Sequence, residues 1–211
     1  LHRQPPKPRS KGDVREGLRY VRSMPVLWIS FGMLAIIGTL SYNFNVTLPL
    51  FVTRSLHSTE GVFTILYSIF SFGAVVSALA VAHRGIVGMR YIIFGASALG
   101  ITMLLLASVS GVAVAVPIVF LVGMSSILYM TTTTAIVQVE AKPEMHGRVL
   151  ALQTVLQIGT APIGGPISGW LADMLGARAP IILGGMACLL AAAFGSYAVR
   201  HYCKPPASEE C

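Results

Sequence analysis

Four groups of uncharged polar residues interrupt the apolar runs of this chain at helical spacing. Gln153, Gln157, Thr160, Gly164 and Ser168 follow at intervals of four, three, four and four residues, which places them on one helix face. Thr39, Asn43 and Thr47 make a second face, with Tyr42 and Asn45 beside it. A third group holds Ser125, Ser126, Tyr129, Thr131 to Thr134 and Gln138, and a fourth holds Tyr67, Ser68 and Ser71. Such hydroxyls and amides can recognise a solute, but they make and break no bonds unaided. No Asp, Glu, Lys, Arg or His lies deep in an apolar run, so these segments hold no Ser–His pair, no His metal cluster and no proton-coupling group. A Gly-x-x-x-x-Gly-Lys phosphate loop is also missing. The residues fit a binding cavity, not an enzyme, and imply no cofactor. A single Ser or Thr can instead bond its own helix backbone. Asn43, Gln153 and Gln157 cannot be fully satisfied that way.

The elements that position these groups follow from composition. Of 211 residues, 55% are hydrophobic and 11% charged, with a mean hydropathy of +0.74. This is the balance of a membrane protein. The charges are segregated, and the uncharged run from Tyr91 to Val139 is long enough for two crossings, with Ser108, Ser110 and Gly111 where a turn would fall. Six spans are predicted, at roughly 26–50, 62–82, 91–108, 113–138, 150–173 and 179–199. Continuous apolar character without alternation makes them helices, since backbone groups in lipid must be satisfied internally. The fold class is therefore an all-α membrane protein of six transmembrane helices. The third and sixth spans are almost wholly apolar and suit the lipid-facing outside of the bundle. The first span is too long, and lies behind too many polar residues, for a secretory signal.

Lys and Arg fix the orientation. Arg3, Lys7, Arg9, Lys11, Arg15, Arg19 and Arg22 precede the first span. Arg84 and Arg90 lie between the second and third, Lys142 and Arg148 between the fourth and fifth, and Arg200 and Lys204 in the tail. The opposite side has only Arg54 and Arg178, so both termini are predicted to be cytoplasmic. Topology thus accounts for the net charge of +7, and no nucleic-acid partner is needed. Three organisational units result: a basic linker and interfacial helix over 1–25, a six-helix bundle over 26–199, and a cytoplasmic tail over 200–211. In the first, Val14, Leu18 and Val21 share one helical face and Arg15, Arg19 and Arg22 another, as expected for a helix lying on the inner leaflet. Cys188, Cys203 and Cys211 form no disulfide or metal pattern. The chain opens at Leu1 in Pro-rich linker sequence, which reads as the second part of a longer polypeptide.

Gly88-Met89-Arg90 followed by an apolar run recurs 88 residues later as Gly176-Ala177-Arg178 followed by another. Three spans separate the copies, so they would be inverted in topology, as a three-plus-three repeat.

The stretches VREGLRYVRSMPVLW, KPEMHGRVLAL and GTAPIGGPISGWLADMLGAR resemble the C-terminal half of a major facilitator superfamily transporter, with most similarity to the bacterial branch that contains the enterobactin exporter. The resemblance runs from about Val14 to Tyr197. It implies secondary active export of small amphipathic compounds, such as siderophores or drugs, across a bacterial inner membrane. The implied partners are the lipid bilayer, a small-molecule substrate and an N-terminal six-helix half. In that family the first, second, fourth and fifth spans of each half line the cavity, which designates Thr39, Tyr42, Asn43, Asn45, Tyr67, Ser71, Tyr129, Thr131, Thr134, Gln153 and Gln157. Gly169, Asp173, Gly176 and Arg178 match the Gly-x-x-x-Asp-x-x-Gly-x-Arg signature, so Asp173 with Arg178 is a candidate latch, or a solvated loop pair. The stretch HRGIVGMR keeps only Gly88 and Arg90 of that signature. Arg148, beside Glu144 and Glu140, is either a cytoplasmic gate residue or an inner-face anchor. Gly165-x-x-x-Gly169 offers a close-packing face, and Pro162 and Pro166 permit bending of the same helix. A noncatalytic membrane module that assembles with another membrane protein is the alternative reading.

Overall fold

The computed structural model describes residues 13–56 and 58–202. The basic linker through Lys11 and the tail with Cys203, Lys204 and Cys211 lie outside the described residues, as does the side chain of Val14. The described residues form helices and turns without strands. The helices are α1 (Asp13–Ser23), α2 (Pro25–Leu40), α3 (Phe44–Leu50), α4 (Glu60–Arg84), α5 (Met89–Ser108), α6 (Val112–Glu140), α7 (His146–Ile158), α8 (Ala161–Leu175) and α9 (Ala179–Tyr202), and a π-helical turn over Phe51–Ser55 continues α3.

Five helical stretches are long and apolar enough to cross a membrane: Pro25–Ser55, Glu60–Arg84, Met89–Ser108, Val112–Glu140 and Ala179–Tyr202. They correspond to the first, second, third, fourth and sixth expected spans. The fifth, expected as one helix over 150–173, is instead α7 of 13 residues followed by α8 of 15. Neither alone reaches the roughly 20 residues a crossing needs. The interruption falls at Gly159 and Thr160 because Pro162 cannot donate to the Ile158 carbonyl and its ring crowds it.

The first span is interrupted too, which its hydropathy does not reveal. Helix α2 stops at Leu40, and Ser41, Tyr42 and Asn43 are non-helical before α3 begins. Ser41 and Tyr42 both send their amides to the Ile37 carbonyl, and the Asn43 side chain donates to the Thr39 carbonyl at 2.9 Å. The carbonyls stranded by the break are thereby supplied with donors, as burial requires.

Helix packing is set by small residues at the crossings, because lipid removes most of the hydrophobic drive between helices. Helix α4 packs chiefly on α6, α5 on α6 and α9, and α9 also on α2. At the α4–α6 crossing, a Cβ on Gly73 would strike the Phe120 carbonyl, and one on Gly123 would strike the Phe70 carbonyl. Between α5 and α9, Gly100 and Gly185 face each other, with Cβ positions 2.8 and 3.1 Å from the opposite carbonyl. Where α2 meets α7 and α8, a Cβ on Gly38 would lie 3.2 Å from the Leu156 carbonyl, and one on Gly164 would strike the Thr39 carbonyl and Asn43 Nδ2.

Two expectations need correction here. Helices α5 and α9 are not the outermost: half of the most apolar window of each is buried, against 22% for α4. Their apolar character reflects their mutual packing as well as lipid contact. Helix α1 is not merely laid on lipid. Val21 is fully buried with Leu27, Phe31, Val137, Ala141 and Val149, whereas Leu18 is 52% exposed. The Tyr20 hydroxyl accepts the Lys142 amide at 3.1 Å, so α1 is docked onto the turn before α7.

Candidate functional site

The exposed face of α4 brings four polar residues together. Thr64, Tyr67, Ser68 and Ser71 recur at three, four and seven residues along an otherwise apolar helix, and all are exposed. Opposite them Leu66, Gly73, Ser77 and Val81 are buried. The hydroxyls of Thr64, Ser68 and Ser71 donate back to the carbonyls of Glu60, Thr64 and Tyr67, which leaves their oxygens as acceptors. The Tyr67 hydroxyl donates to Asn45 Oδ1 of α3 at 3.2 Å, and the exposed Asn45 amide can still donate.

Aromatic rings extend this surface into the break of the first span. Phe63 lies 5.7 Å from Tyr67, Tyr67 5.9 Å from Phe70, and Phe70 5.1 Å from Phe44. Phe44 then lies 6.1 Å from Tyr42, and Tyr42 6.5 Å from Tyr129. These separations suit offset and edge contacts between rings. The result is a wall of ring faces and edges, anchored at its inner end by the buried Tyr129, with hydroxyl and amide groups at one side. Polarity pointed to Tyr67, Ser71 and Asn45, but Phe44, Phe63 and Phe70 were missed. Apolar rings in an apolar run carry no signal of their own.

Other expected cavity residues are placed differently. Asn43 is buried and bonded to the Thr39 carbonyl, so it holds the break together. Thr39 is half-buried and bonds the Ala35 carbonyl. Tyr42 is half-buried and its hydroxyl donates to the Ser126 carbonyl at 2.8 Å, tying the break to α6. Tyr129 is fully buried against Gly95 of α5. Thr131, Thr134 and Gln157 are half-buried. Gln153 is 2% exposed, and its Nε2 donates to Thr134 Oγ1 at 2.8 Å. Its Oε1 has no hydrogen-bond partner among the described residues. An open buried acceptor costs about 1–3 kcal/mol, so a donor arriving there would be held firmly.

The expected gating groups also rearrange. Asp173 does not pair with Arg178: its partner is Arg54, at the end of the first span, with Nη1 and Oδ1 2.6 Å apart. Arg178 instead reaches the turn between α5 and α6, donating to the Val109 carbonyl at 3.0 Å and to Ser110 at 3.4 Å. Arg148 pairs with Glu16 of α1 at 2.9 Å, so it anchors α1 rather than closing on Glu144 or Glu140. A Cβ added at Gly165 or Gly169 would meet nothing within 4 Å among the described residues, and the close approach belongs to Gly164, one residue and about 100° from Gly165. Pro162 sits in the first turn of α8, where a missing amide is harmless, and Pro166 lies in its interior. Gly88 and Gly176 adopt positive φ, 147° and 94°, each in the turn before the next helix, which explains why glycine stands in both copies of the Gly-x-Arg pattern. Arg90 is exposed at the start of α5.

The sequence-family model described as transmembrane secretion effector, of the major facilitator type, matches residues 2–210. No curated protein and no solved structure matches the chain.

Proposed function

From the premise that this chain belongs to the transmembrane secretion effector family of the major facilitator superfamily, we propose that it is the C-terminal six-span half of a secondary transporter that exports small amphipathic compounds, such as siderophores or drugs. Membership of this family supports a multi-pass membrane transporter, and the reading offered here gives the chain no enzymatic role. The observation that carries the finer reading is the wall from Phe63 to Tyr42, fronted by Tyr67 and Ser71 on α4, the least buried span, and by Asn45 on α3. Ring faces supply apolar area and the hydroxyl oxygens accept hydrogen bonds, the mixture that small-molecule sites use.

Two further readings rest on packing. The α4–α6 glycine contacts have a counterpart in those of α8 with α2, and Gly100 with Gly185 joins the third and sixth spans across the middle. Together with the matching turns at Gly88 and Gly176, this supports a three-plus-three inverted repeat. The break at 159–160 faces Gly38 of α2 and the break at 41–43 faces Gly164 of α8, which supports alternating access by bending in this part of the bundle. In this reading both termini are cytoplasmic in a bacterial inner membrane. The partners are the bilayer, the substrate and an N-terminal six-span half, and no nucleic acid is involved.

Export of a fluorescent amphipathic dye from cells producing the complete protein tests the site. Asn45→Leu and Tyr67→Phe should reduce export several-fold at unchanged membrane levels. Asn43→Leu should instead lower the amount of folded protein, because it orphans the Thr39 carbonyl. Wild-type kinetics in both Asn45→Leu and Tyr67→Phe would remove the wall as the solute site. The exposed apolar residues Ile65, Phe72, Val75 and Leu79 of α4 favour a second reading, a noncatalytic module docked on another membrane protein. That reading requires that charged substitutions at Phe72 and Leu79 break co-purification while dye export is absent from the wild type.

A further inference from the structure

A cleft opens at the end of the bundle where α1 leads into α2 and α9 finishes. Arg22, Trp28 and Tyr202 form its polar rim, and Ile29, Phe194 and Ala198 its apolar floor, around a volume of about 300 Å³. That volume is at the lower end of the range for small-ligand sites. Arg22 lies over the Trp28 ring, 5.9 Å from its centroid. The described ion pairs are Arg54–Asp173 and Arg148–Glu16, and Arg22 belongs to neither. Among the described residues its charge meets a ring and no carboxylate.

The floor runs deeper than the rim. Phe194 and Tyr202 are eight residues apart on α9, a rise of about 12 Å. Phe194 meets Gly32 in the second turn of α2, inside the first span. A ligand filling the cleft must therefore present an anion at the level of Arg22 and apolar chain at the level of Phe194. Trp28 and Tyr202 are the amphipathic aromatics found at the membrane interface, and Arg19 and Arg200 are exposed nearby.

We propose that this cleft is a binding site for an anionic phospholipid of the cytoplasmic leaflet, with the headgroup phosphate on Arg22 and one acyl chain along Ile29, Phe194 and Ala198. Basic pockets between spans on that side of a membrane are suited to such headgroups. The site goes beyond the transport reading and depends only on α2 and α9 crossing the membrane with their shared end inside.

The chain has two tryptophans, so Trp170→Phe leaves Trp28 as the single reporter. Nanodiscs carrying a small fraction of brominated phosphatidylglycerol or brominated phosphatidylcholine measure which lipid sits against it. In the Trp170→Phe protein the brominated anionic lipid should quench about five-fold more effectively at equal fraction, the size expected of one basic side chain at the surface. Arg22→Gln should bring that ratio close to one, while Arg15→Gln, which removes the same charge from an exposed position on α1, should leave it unchanged. Equal quenching by the two lipids, or an equal fall in both variants, overturns the site. Abolition of the preference by millimolar inorganic phosphate assigns the cleft to a free anion and overturns the lipid assignment. Loss of lipid preference with dye export intact refutes this site alone, whereas absent export with the preference intact bears only on the transport reading.

Discussion

Two adjacent glycines in α8 should respond oppositely to the same added methyl group. At Gly164 a Cβ would strike the Thr39 carbonyl and Asn43 Nδ2, both part of the break in the first span. The Thr39 carbonyl is backbone and cannot turn aside, and Asn43 Nδ2 can do so only by giving up its hydrogen bond, so α8 must move off α2. Overpacking of this kind costs about 1–3 kcal/mol. Disturbing the Asn43 to Thr39 hydrogen bond adds about 0.5–1.5 kcal/mol. Replacing a helical glycine with alanine returns about 0.5–1 kcal/mol, so Gly164→Ala should destabilise by about 0.5–4 kcal/mol net. At Gly165 and Gly169 the space is open, and only the helical gain remains. Gly165→Ala and Gly169→Ala should therefore be neutral or stabilising by about 0.5–1 kcal/mol. The gap between neighbouring positions is about 0.5–5 kcal/mol, measurable by following helical circular dichroism of the 211-residue chain as dodecyl sulfate is titrated into maltoside micelles. Gly165→Ala as damaging as Gly164→Ala would mean that α8 is rotated by one residue about its axis, and the account of the crossing would fail.

Arg54→Ala and Asp173→Ala in a double-mutant cycle should show a coupling of about 0–1 kcal/mol that fades with salt, since both side chains are more than half exposed. A larger coupling between Asp173 and Arg178 would restore the latch that the geometry replaces. Pro162→Ala with Pro166→Ala should hold or raise the unfolding midpoint while slowing dye export, because restored hydrogen bonds stiffen the helix. Undiminished export would reduce both prolines to structural kinks. With the three native cysteines replaced, cysteines at Arg54 and Arg178 should react with an impermeant thiol reagent outside intact cells, and those at Arg84 and Lys142 should not. The reverse pattern would invert the topology.

The limits of the spans were legible because charge cannot stay in lipid, and the turns near Gly88, Gly111 and Gly176 fall where charge or small polar residues collect. The breaks were not, because polarity has two uses in a span. Asn43 reads from sequence as a cavity amide, yet it serves a stranded carbonyl four residues earlier. Which glycine of Gly164 and Gly165 meets a neighbour depends on helix rotation, a quantity that an interrupted helix sets locally. Asp173 finds its partner 119 residues away, whereas proximity along the chain favoured Arg178. The aromatic wall draws on α3, α4, α6 and the break, so no window of sequence contains it.

The dependence of α4 on α6 has a consequence during synthesis. Gly73 and Gly123 lie 50 residues apart, so at about 5–20 residues per second α4 spends several seconds in the bilayer before its main partner has been made. It must survive that interval alone. Its most apolar window has a mean hydropathy of 2.1, and Thr64, Ser68 and Ser71 each donate into the preceding turn of their own helix. The hydroxyl protons that would otherwise be costly in lipid are thus satisfied before any neighbour arrives. The same back-bonding that leaves these oxygens open to a solute lets the helix wait in the nascent chain, so replacing all three with asparagine should show first as failed insertion and only afterwards as failed export.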